Sequence, residues 1–280
     1  MRKIVVTGSS GQLGSALFNQ LKLRNYSVLG IDIVQSQTTD RLIDIRDSAQ
    51  INKITIGFDA IIHTAALHGK HYELNYPREE FISTNINGTF NLLSACVLNG
   101  IKKFVYTSTT SIYGNAMVST KQAVWVDETL VPNPRDIYDI TKLTAELLCR
   151  DYFEKEGIEA TVLRVSRFLP EDENTKAIHR LYRGLDEQDG AIAHILALEK
   201  TFQSFEIYNI SNQSPFKKTD LEELISNPTK VIKRYYPEVE SIFRDRNWVF
   251  PPKIDRVYSI EKAKSQLNYS PKNNFDKFIY

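Results

Sequence analysis

The fold is decided by the stretch Lys3-Ile4-Val5-Val6-Thr7-Gly8-Ser9-Ser10-Gly11-Gln12-Leu13-Gly14. It begins with an apolar run typical of a short buried strand, Lys3–Thr7, and apolar residues then recur at helical spacing from Leu13 to Leu21. A second apolar stretch follows at Ser27–Ile33. Strand, helix and strand in this order form a βαβ unit, the opening of a parallel sheet.

The same alternation continues along the chain. Further strands are predicted at Ala60–His63, Lys103–Thr107 and Ala160–Val165, and long helical patterns separate them at Glu79–Leu98 and Tyr138–Lys155. This alternation predicts an α/β fold with a doubly wound Rossmann-type parallel sheet.

Three glycines mark the first strand-to-helix turn: Gly8, Gly11 and Gly14. Glycine permits a tight turn, lets the backbone approach a pyrophosphate and allows close packing of helix on strand, while the helix N-terminus directs unpaired N–H groups at the anion. The spacing is Gly-x-x-Gly-x-x-Gly rather than Gly-x-Gly-x-x-Gly, and such a triplet alone is weak evidence. Because this triplet lies where a strand ends and a helix begins, we predict a dinucleotide site.

Asp32 closes the second strand, close to the offset of roughly 20 residues at which a carboxylate accepts hydrogen bonds from the adenosine ribose. A carboxylate there repels a 2′-phosphate, and no Arg or Lys follows until Arg41. The pattern therefore favours NAD over NADP as the cofactor. The alternative interpretation is an ordinary strand-ending Asp in a turn.

The alternation breaks down after the strand that ends at residue 165. A charged loop is predicted at Pro170–Lys176, a helix near Gly190–Lys200 and a strand near Glu206–Ile210, and prolines interrupt the remainder. We therefore predict an NAD-binding Rossmann domain at residues 1–165, which carries the catalytic residues. A smaller α/β substrate-binding lobe at residues 166–280 is interleaved with it.

Composition and charge exclude several classes of protein. The 280 residues carry 35 Lys and Arg against 34 Asp and Glu, so a net charge of +1 gives no field for nucleic acid or anionic membranes. No export signal and no apolar run long enough for a membrane span is visible. The two cysteines fit packing positions in a reducing cytoplasm, and the five histidines lack zinc-site spacing. We expect a cytoplasmic protein with a small-molecule substrate, no metal, no nucleic acid and no membrane.

A phenol and an ammonium share one helix face, because Tyr138 and Lys142 are four residues apart. A phenol is a poor base at neutral pH unless nearby positive charge stabilises the phenolate, and Lys142 could supply it. The spacing alone means little, since Tyr258 and Lys262 repeat it. Only Tyr138 follows both the glycine turn and a hydroxyl-rich strand end at Thr107–Ser111, so we predict that the Tyr138–Lys142 pair is the functional one.

These residues together resemble the extended short-chain dehydrogenases/reductases, in particular the NAD-dependent epimerase/dehydratase family that acts on nucleotide sugars. The glycine turn resembles the nucleotide loop of that family, and three further motifs follow in the family's order: Asp44–Asp47, His63–Ala66 and Asn85–Thr89. The resemblance implies NAD as cofactor. It implies cofactor contacts at Gly8, Gly11, Gln12, Leu13, Gly14, Asp32, Asp44, Ile45, Ala65, Ala66, Tyr138 and Lys142.

The resemblance also implies the catalytic roles. Tyr138 would be the general acid/base, and Lys142 would hold the ribose hydroxyls and lower the pKa of Tyr138. Alignment on the Tyr113-Gly114 pair puts Thr109 on the catalytic Ser/Thr position, with Ser108 as its nearest competitor. The implied chemistry is hydride transfer from a carbinol carbon to nicotinamide, and in an epimerase the ketone turns over and receives the hydride on its other face.

Two departures from the family narrow the function. Thr110 and Ser111 stand where the sugar dehydratases have Asp-Glu and the decarboxylases have a Glu at the second position, so elimination and decarboxylation are disfavoured. Arg167 replaces the Asn that contacts the nucleotide-sugar, and its guanidinium can bind a phosphate or a carboxylate. We also consider Lys70, Arg183 and Arg256 as contacts of an anionic substrate; the alternative for the loop around Lys70 is a solvated polar surface.

Three functions remain open. The first is an NAD-dependent epimerase of a nucleotide-sugar or related phosphorylated sugar, and the second is an NAD(P)-dependent dehydrogenase or reductase of another alcohol or carbonyl substrate. The third, a non-catalytic NAD-sensing or RNA-associated relative, has no need of Thr109, Tyr138 and Lys142 together. Family members commonly dimerise through helices corresponding to Glu79–Leu98 and Tyr138–Lys155, so we expect a homodimer. Substrate identity and stereochemistry stay open.

Overall fold

The computed structural model describes residues 2–280, without the side chains of Lys70 and Tyr72. The described strands are β1 Lys3–Thr7, β2 Ser27–Asp32, β3 Arg41–Leu42, β4 Ala60–His63, β5 Lys103–Thr109, β6 Val124–Val126, β7 Glu159–Val165, β8 Glu206–Ile210 and β9 Arg256–Tyr258. Seven of them form one parallel sheet in the order β3-β2-β1-β4-β5-β7-β8, and β6 pairs with β9 in a second parallel sheet. The predicted Rossmann-type parallel sheet is confirmed.

Two layers of helix cover the large sheet. The described helices are α1 Gln12–Leu23, α2 Ser48–Ile54, α3 Gly69–Glu73, α4 Arg78–Phe81, α5 Gly88–Asn99, α6 Ile137–Glu156, α7 Glu173–Tyr182, α8 Glu187–Glu199, α9 Leu221–Ser226, α10 Pro228–Tyr235, α11 Val239–Asp245 and α12 Glu261–Leu267. Ile4 and Val6 of β1 pack with α1 and α8, whereas Val5 packs on the opposite face with α2, α5 and α6. Successive strand residues point to opposite faces, so a strand buried on both sides is a continuous apolar run.

The predicted helix Glu79–Leu98 is wrong as one continuous α-helix. Between α4 and α5, residues Ile82–Asn87 form a π-helical segment. Asn85 lies in it, 1% exposed; its Nδ2 donates to the Leu67 oxygen at 2.9 Å and to Thr141 Oγ1 at 3.0 Å. Its Oδ1 accepts from the Leu67 nitrogen at 2.8 Å. The wider turn thus accompanies a buried amide whose hydrogen bonds are satisfied outside the helix.

The C-terminal part of the chain crosses back into the large sheet. β8 pairs with β7, and α8 packs against α1, so residues 187–210 belong to the same core as β1. The remaining helices and the β6–β9 pair enclose a separate apolar cluster that includes Phe216, Leu224, Ile232, Phe243 and Phe275. The division into two interleaved lobes with a boundary at residue 165 stays a prediction.

The predicted loop Pro170–Lys176 is wrong beyond Asp172, because α7 begins at Glu173. The Asp172 side chain caps this helix by accepting from the Thr175 nitrogen at 2.9 Å. Three 3₁₀ segments complete the described structure: Thr110–Met117, Lys218–Asp220 and Phe275–Phe278. Across residues 2–280, no helix combines the length and apolarity that a membrane crossing requires. The described side chains also contain no metal-binding group of three or more His, Cys, Asp or Glu.

Candidate active site

A cleft of about 910 Å³ opens at the carboxyl ends of the strands. The strand order reverses between β1 and β4, so the loops that follow these strands diverge and leave a crevice between them. The glycine turn lines one wall, Thr64–Ala66 lines the next, and the ends of β5 and β7 continue the floor.

The glycine turn is shaped by contacts that exclude side chains. Gly8 has φ +68°, and a Cβ there would lie 2.6 Å from the Ala65 nitrogen. A Cβ on Gly14 would lie 2.0 Å from the Gly8 oxygen, so α1 can approach β1 only with glycine at this position. Gly11, the N-cap of α1, has no side-chain cap and lines the cleft. The start of α1 therefore offers its amide groups to an anion in the cleft, which fits a dinucleotide pyrophosphate.

Asp32 is held by two backbone N–H groups, one from the glycine turn and one from the segment that follows β2. Its Oδ2 accepts from the Ser10 nitrogen at 3.0 Å and its Oδ1 from the Val34 nitrogen at 3.0 Å. Each oxygen keeps a second lone pair for a ribose hydroxyl. The structure therefore brings a fixed carboxylate to the lip of the cleft beside the glycine turn, as the choice of NAD over NADP requires.

The part of the cleft around the expected cofactor contacts Asp44 and Ile45 carries an ion-pair cluster. Arg46 bridges Asp44 at 2.6 Å and Glu80 at 2.7 Å, and hydrogen bonds from Arg46 lower the pKa of Asp44. Asp44, Ile45, Arg46 and Glu80 all line the cleft. Ile45 also packs under the start of α5, where its side chain would clash with a Cβ on Gly88.

Tyr138 and Thr109 meet on the floor of the cleft. Tyr138 lies in the first turn of α6, which Asp136 caps by accepting from the Asp139 nitrogen at 3.0 Å. Burial raises the pKa of Tyr138, and a hydrogen bond with Thr109 opposes the rise. Thr109 Oγ1 also accepts from the Ser111 nitrogen at 3.1 Å, so a short turn fixes its position.

Lys142 lies one turn further along α6 and is 3% exposed. Its Nζ donates to the Thr107 oxygen at 2.5 Å and sits 4.5 Å from the centre of the Tyr106 ring. Burial lowers the pKa of Lys142 to about 7, against the attraction of Glu146. In the protein alone, burial therefore opposes both the phenolate of Tyr138 and the ammonium of Lys142.

A buried ion pair that the sequence analysis missed lies directly behind these residues. Arg164 of β7 donates to Glu146 of α6 at 2.7 Å from Nη2 and at 3.0 Å from Nε. Ser108 Oγ donates to the same carboxylate at 2.5 Å, and Arg164 Nη1 donates to Tyr113 Oη at 3.0 Å. Two features of the sequence could have indicated this pair. Glu146 lies four residues after Lys142, and Arg164 is a charged residue inside an apolar strand.

Three of the four predicted substrate residues line the far end of the cleft: Arg167, Arg183 and Arg256. The side chain of the fourth, Lys70, lies outside the described part of the structure. Arg167 forms an ion pair with Glu171, and Arg256 forms one with Asp255 at 2.5 Å. Among the described ion pairs none involves Arg183, so its charge has no carboxylate within 4.0 Å.

Arg183 also borders a second cavity of about 410 Å³. Half of the residues that line this cavity are apolar or aromatic: Ile178, Tyr182, Val249, Phe250, Pro251 and Pro252. The other half are polar or charged: Asn174, Thr175, His179, Arg183, Lys253 and Asp255. Arg183 thus stands at the junction of the two cavities.

The model of the NAD dependent epimerase/dehydratase family matches residues 4–195. The chain belongs to this family. The family and its cofactor, both expected from the sequence, are confirmed, and so is an enzyme of this epimerase/dehydratase type.

Named relatives of this family member differ in what they act on. An uncharacterized UDP-glucose epimerase of Bacillus subtilis is 32% identical over 200 residues, which cover 65% of this chain and 61% of that protein. A GDP-mannose 3,5-epimerase of Arabidopsis thaliana is 25% identical over 279 residues, covering 96% of this chain and 72% of that one. The crystal structure of a UDP-glucose 4-epimerase of Thermotoga maritima superposes with a TM-score of 0.74 at 22% identity, over 99% of this chain and 96% of that chain, and shares the fold.

Proposed function

We propose that this family member is an NAD-dependent epimerase of a nucleotide-sugar or related phosphorylated sugar. The observation that carries the proposal is that Tyr138, Thr109 and the glycine turn line one cleft, with Thr109 near enough to Tyr138 to lower its pKa. The cleft thus combines a proton-transfer group, a hydroxyl that can hold the reacting oxygen and a site for a dinucleotide.

NAD, when bound, supplies a hydride acceptor that can return the hydride. Tyr138 takes the proton of the substrate hydroxyl and gives it back, while Thr109 hydrogen-bonds the same oxygen. Because burial raises the pKa of Tyr138 in the protein alone, its activation requires positive charge nearby. Lys142 is the cation buried in the same helix, and its ammonium must stay protonated to act.

The residues after Thr109 argue against net elimination. Thr110 is 4% exposed and its Oγ1 contacts the Val165 oxygen at 3.5 Å, and Ser111 is also uncharged. Neither side chain can exchange the proton that elimination of water or loss of carbon dioxide needs at neutral pH. The simplest remaining reaction for Tyr138 to catalyse is epimerisation, which inverts one carbon of the substrate with no net redox change.

The two cavities and Arg183 between them would accommodate a substrate in which a central diphosphate joins a sugar to a nucleoside. A diphosphate at Arg183 would find a guanidinium that has no carboxylate partner. A sugar on one side would reach Tyr138, and a nucleoside on the other would enter the cavity walled by Tyr182, Phe250 and Pro251. The aromatic and proline side chains of this cavity offer apolar surface to a base, and the polar residues of the same lining can fix its orientation.

A dehydrogenase or reductase of a smaller carboxylate substrate is the second candidate, because Arg167, Arg183 and Arg256 converge on one cleft end. The two functions differ in their products. A panel of nucleotide-sugars and sugar acids, incubated with catalytic NAD and followed by proton NMR, would yield epimers without NADH under the first proposal. Stoichiometric NADH and an oxidised product would support the second. In either case Tyr138→Phe is expected to abolish product formation while NAD still binds.

We further propose a homodimer through α5 and α6. Phe90 and Val97 on α5 are 48% and 42% exposed, and Ile140 and Leu147 on α6 are 49% and 54% exposed. Each pair is seven residues apart and so lies on one stripe of its helix. Light scattering should give a dimer mass for the wild type and a monomer mass for Phe90→Asp with Leu147→Asp, whereas the control Leu23→Asp on α1 should stay dimeric.

The cytoplasm is the proposed location, because Cys96 and Cys149 are both free and buried.

A further inference from the structure

A chain of four side chains connects the last turn of α7 to the segment before it. Arg167 pairs with Glu171, and the other carboxylate oxygen of Glu171 lies 2.7 Å from His179 Nδ1. Arg183 Nη2 lies 2.8 Å from His179 Nε2. The side chains of Glu171 and His179 are each only 10% exposed, so water competes little for these contacts.

The donors and acceptors in this chain fix the protonation of His179. A guanidinium can only donate, so Nε2 of His179 must accept from Arg183. The proton of the neutral imidazole then lies on Nδ1 and is donated to Glu171. Burial lowers the pKa of His179, as does the neighbouring charge of Arg183, while Glu171 acts in the opposite direction.

The backbone joins the same two residues. The nitrogens of Arg183 and Gly184 both donate to the His179 oxygen, at 2.9 and 2.6 Å. The Arg183 guanidinium carbon lies 5.4 Å from the centre of the Tyr182 ring. His179 is therefore the group through which the fold sets the direction of the Arg183 guanidinium.

We propose that Glu171 and His179 are positioning residues that aim Arg183 at a substrate anion between the two cavities, and that protonation of His179 releases it. The inference rests on the proposed nucleotide-sugar substrate. An imidazolium would present a second N–H to a guanidinium N–H, so the contact between His179 and Arg183 would become repulsive. The charged and titratable groups that face His179 are Tyr182 at the end of its own helix, Arg183 directly after that helix, and Arg167 and Glu171 on the preceding segment.

The test measures binding of UDP-glucose by calorimetry in a Tyr138→Phe background with NAD, at about pH 8 and at a pH below the lowered pKa of His179, which nitrogen NMR of the labelled protein locates first. UDP-glucose keeps the same diphosphate charge at both values, so a change in affinity comes from the protein. We expect at least about tenfold weaker binding at the lower pH, the effect of losing a charge-assisted hydrogen bond.

Two substitutions separate positioning from packing. His179→Gln keeps an acceptor for Arg183 but does not titrate, so its affinity should stay near that of the parent and should not depend on pH. His179→Leu removes the acceptor and should bind about tenfold more weakly at both pH values. Arg244→Ala removes a charge that is 76% exposed on α11 and should behave as the parent does.

The proposal is overturned if His179→Leu binds as tightly as the parent, or if His179→Gln keeps the loss at low pH. Failure of the parent to bind any nucleotide-sugar of the panel used in the activity assay would instead overturn the proposed nucleotide-sugar function. Nitrogen NMR of labelled His179 then decides the positioning role by itself. The Nδ1–H tautomer and a higher His179 pKa in Arg183→Gln support the role, and an unchanged pKa and tautomer overturn it.

Discussion

Replacing Arg164 by Met tests the buried ion pair behind the catalytic residues. The side chains of Arg164 and Glu146 are 5% and 3% exposed, and Arg164 supplies N–H groups to both Glu146 and Tyr113. Arg164→Met leaves the Glu146 carboxylate buried with Ser108 as its remaining donor. Breaking a buried pair from one side costs about 3–5 kcal/mol of folding free energy. We expect this loss for Arg164→Met and a similar one for Glu146→Met.

The double substitution Glu146→Met with Arg164→Met removes both charges. It should recover most of the loss, because replacing both partners by apolar groups of similar volume is often neutral. A residual cost of about 1–3 kcal/mol is expected from the Ser108 hydroxyl, which loses its acceptor. Adding Ser108→Ala to the double substitution should remove this remaining loss of folding free energy.

Urea unfolding provides the assay. Far-ultraviolet circular dichroism follows the whole chain, whereas tryptophan fluorescence follows Trp125 and Trp248, which both pack in the smaller apolar cluster. Coincident transitions would license a two-state analysis. The control pair is Lys233 and Glu240, which are 40% and 60% exposed; the same cycle there should cost less than about 1 kcal/mol.

The reasoning is refuted if either buried single substitution costs less than about 1 kcal/mol, or if the double substitution costs the sum of the two singles. In the first case the pair would be no more important than a surface contact. In the second, the two charges would not be coupled.

Further predictions address the cofactor and the catalytic groups. Tyr138→Phe should lower turnover by about 10²–10⁴-fold with NAD affinity unchanged, measured by steady-state kinetics and calorimetry; equal losses in both would contradict its role in proton transfer. The pKa of Lys142 is lowered to about 7 in the folded protein. Between pH 7 and pH 10 the unfolded chain therefore holds a proton on Lys142 that the folded protein has released. The contribution of Lys142 to the free energy of unfolding thus rises with pH over this range. Lys142→Met should therefore lose that rise, so that its stability relative to the wild type falls from pH 7 to pH 10 in urea titrations; a constant difference would contradict the shift. Gly14→Ala should cost at least about 2–3 kcal/mol and lose NAD binding, since its Cβ would lie 2.0 Å from the Gly8 oxygen, whereas Gly69→Ala, which has no neighbour within 4 Å, should stay within about 0.5 kcal/mol. Asp32→Ser should raise affinity for NADP relative to NAD by about tenfold or more, and an unchanged ratio of dissociation constants would remove Asp32 from cofactor selection.

The parallel sheet and the glycine turn that lines the cofactor cleft were predictable, because neighbouring stretches of the sequence point to the same structure. The apolar run of β1, the glycine turn and the apolar stripe of α1 each point to one βαβ unit, and the strand lengths follow from continuous burial on two faces. Tyr138 could be separated from Tyr258 by its order relative to those elements. These features depend on short stretches of chain.

Contacts between distant segments were not predictable. The π-helical segment depends on Asn85 reaching Leu67 and Thr141, and nothing in the helical pattern of residues 79–98 marks that tertiary contact. The sequence likewise indicates a helix surface position for Glu146, because its contact with Arg164 of β7 exists only in the folded structure. The substrate end shows the same limit, because the sequence identified Arg167 and Arg183 as charges but not Glu171 and His179, which join them.

Under the proposed function, Tyr138 and Thr109 serve a reversible hydride and proton transfer that leaves NAD unchanged. The most direct measurement is proton NMR of nucleotide-sugars incubated with the protein and catalytic NAD, with NADH absorbance followed in the same tube. We predict accumulation of an epimer to equilibrium without net NADH, and no epimer with Tyr138→Phe. Stoichiometric NADH with an oxidised sugar, or equal epimer formation by Tyr138→Phe, would contradict the proposed epimerase.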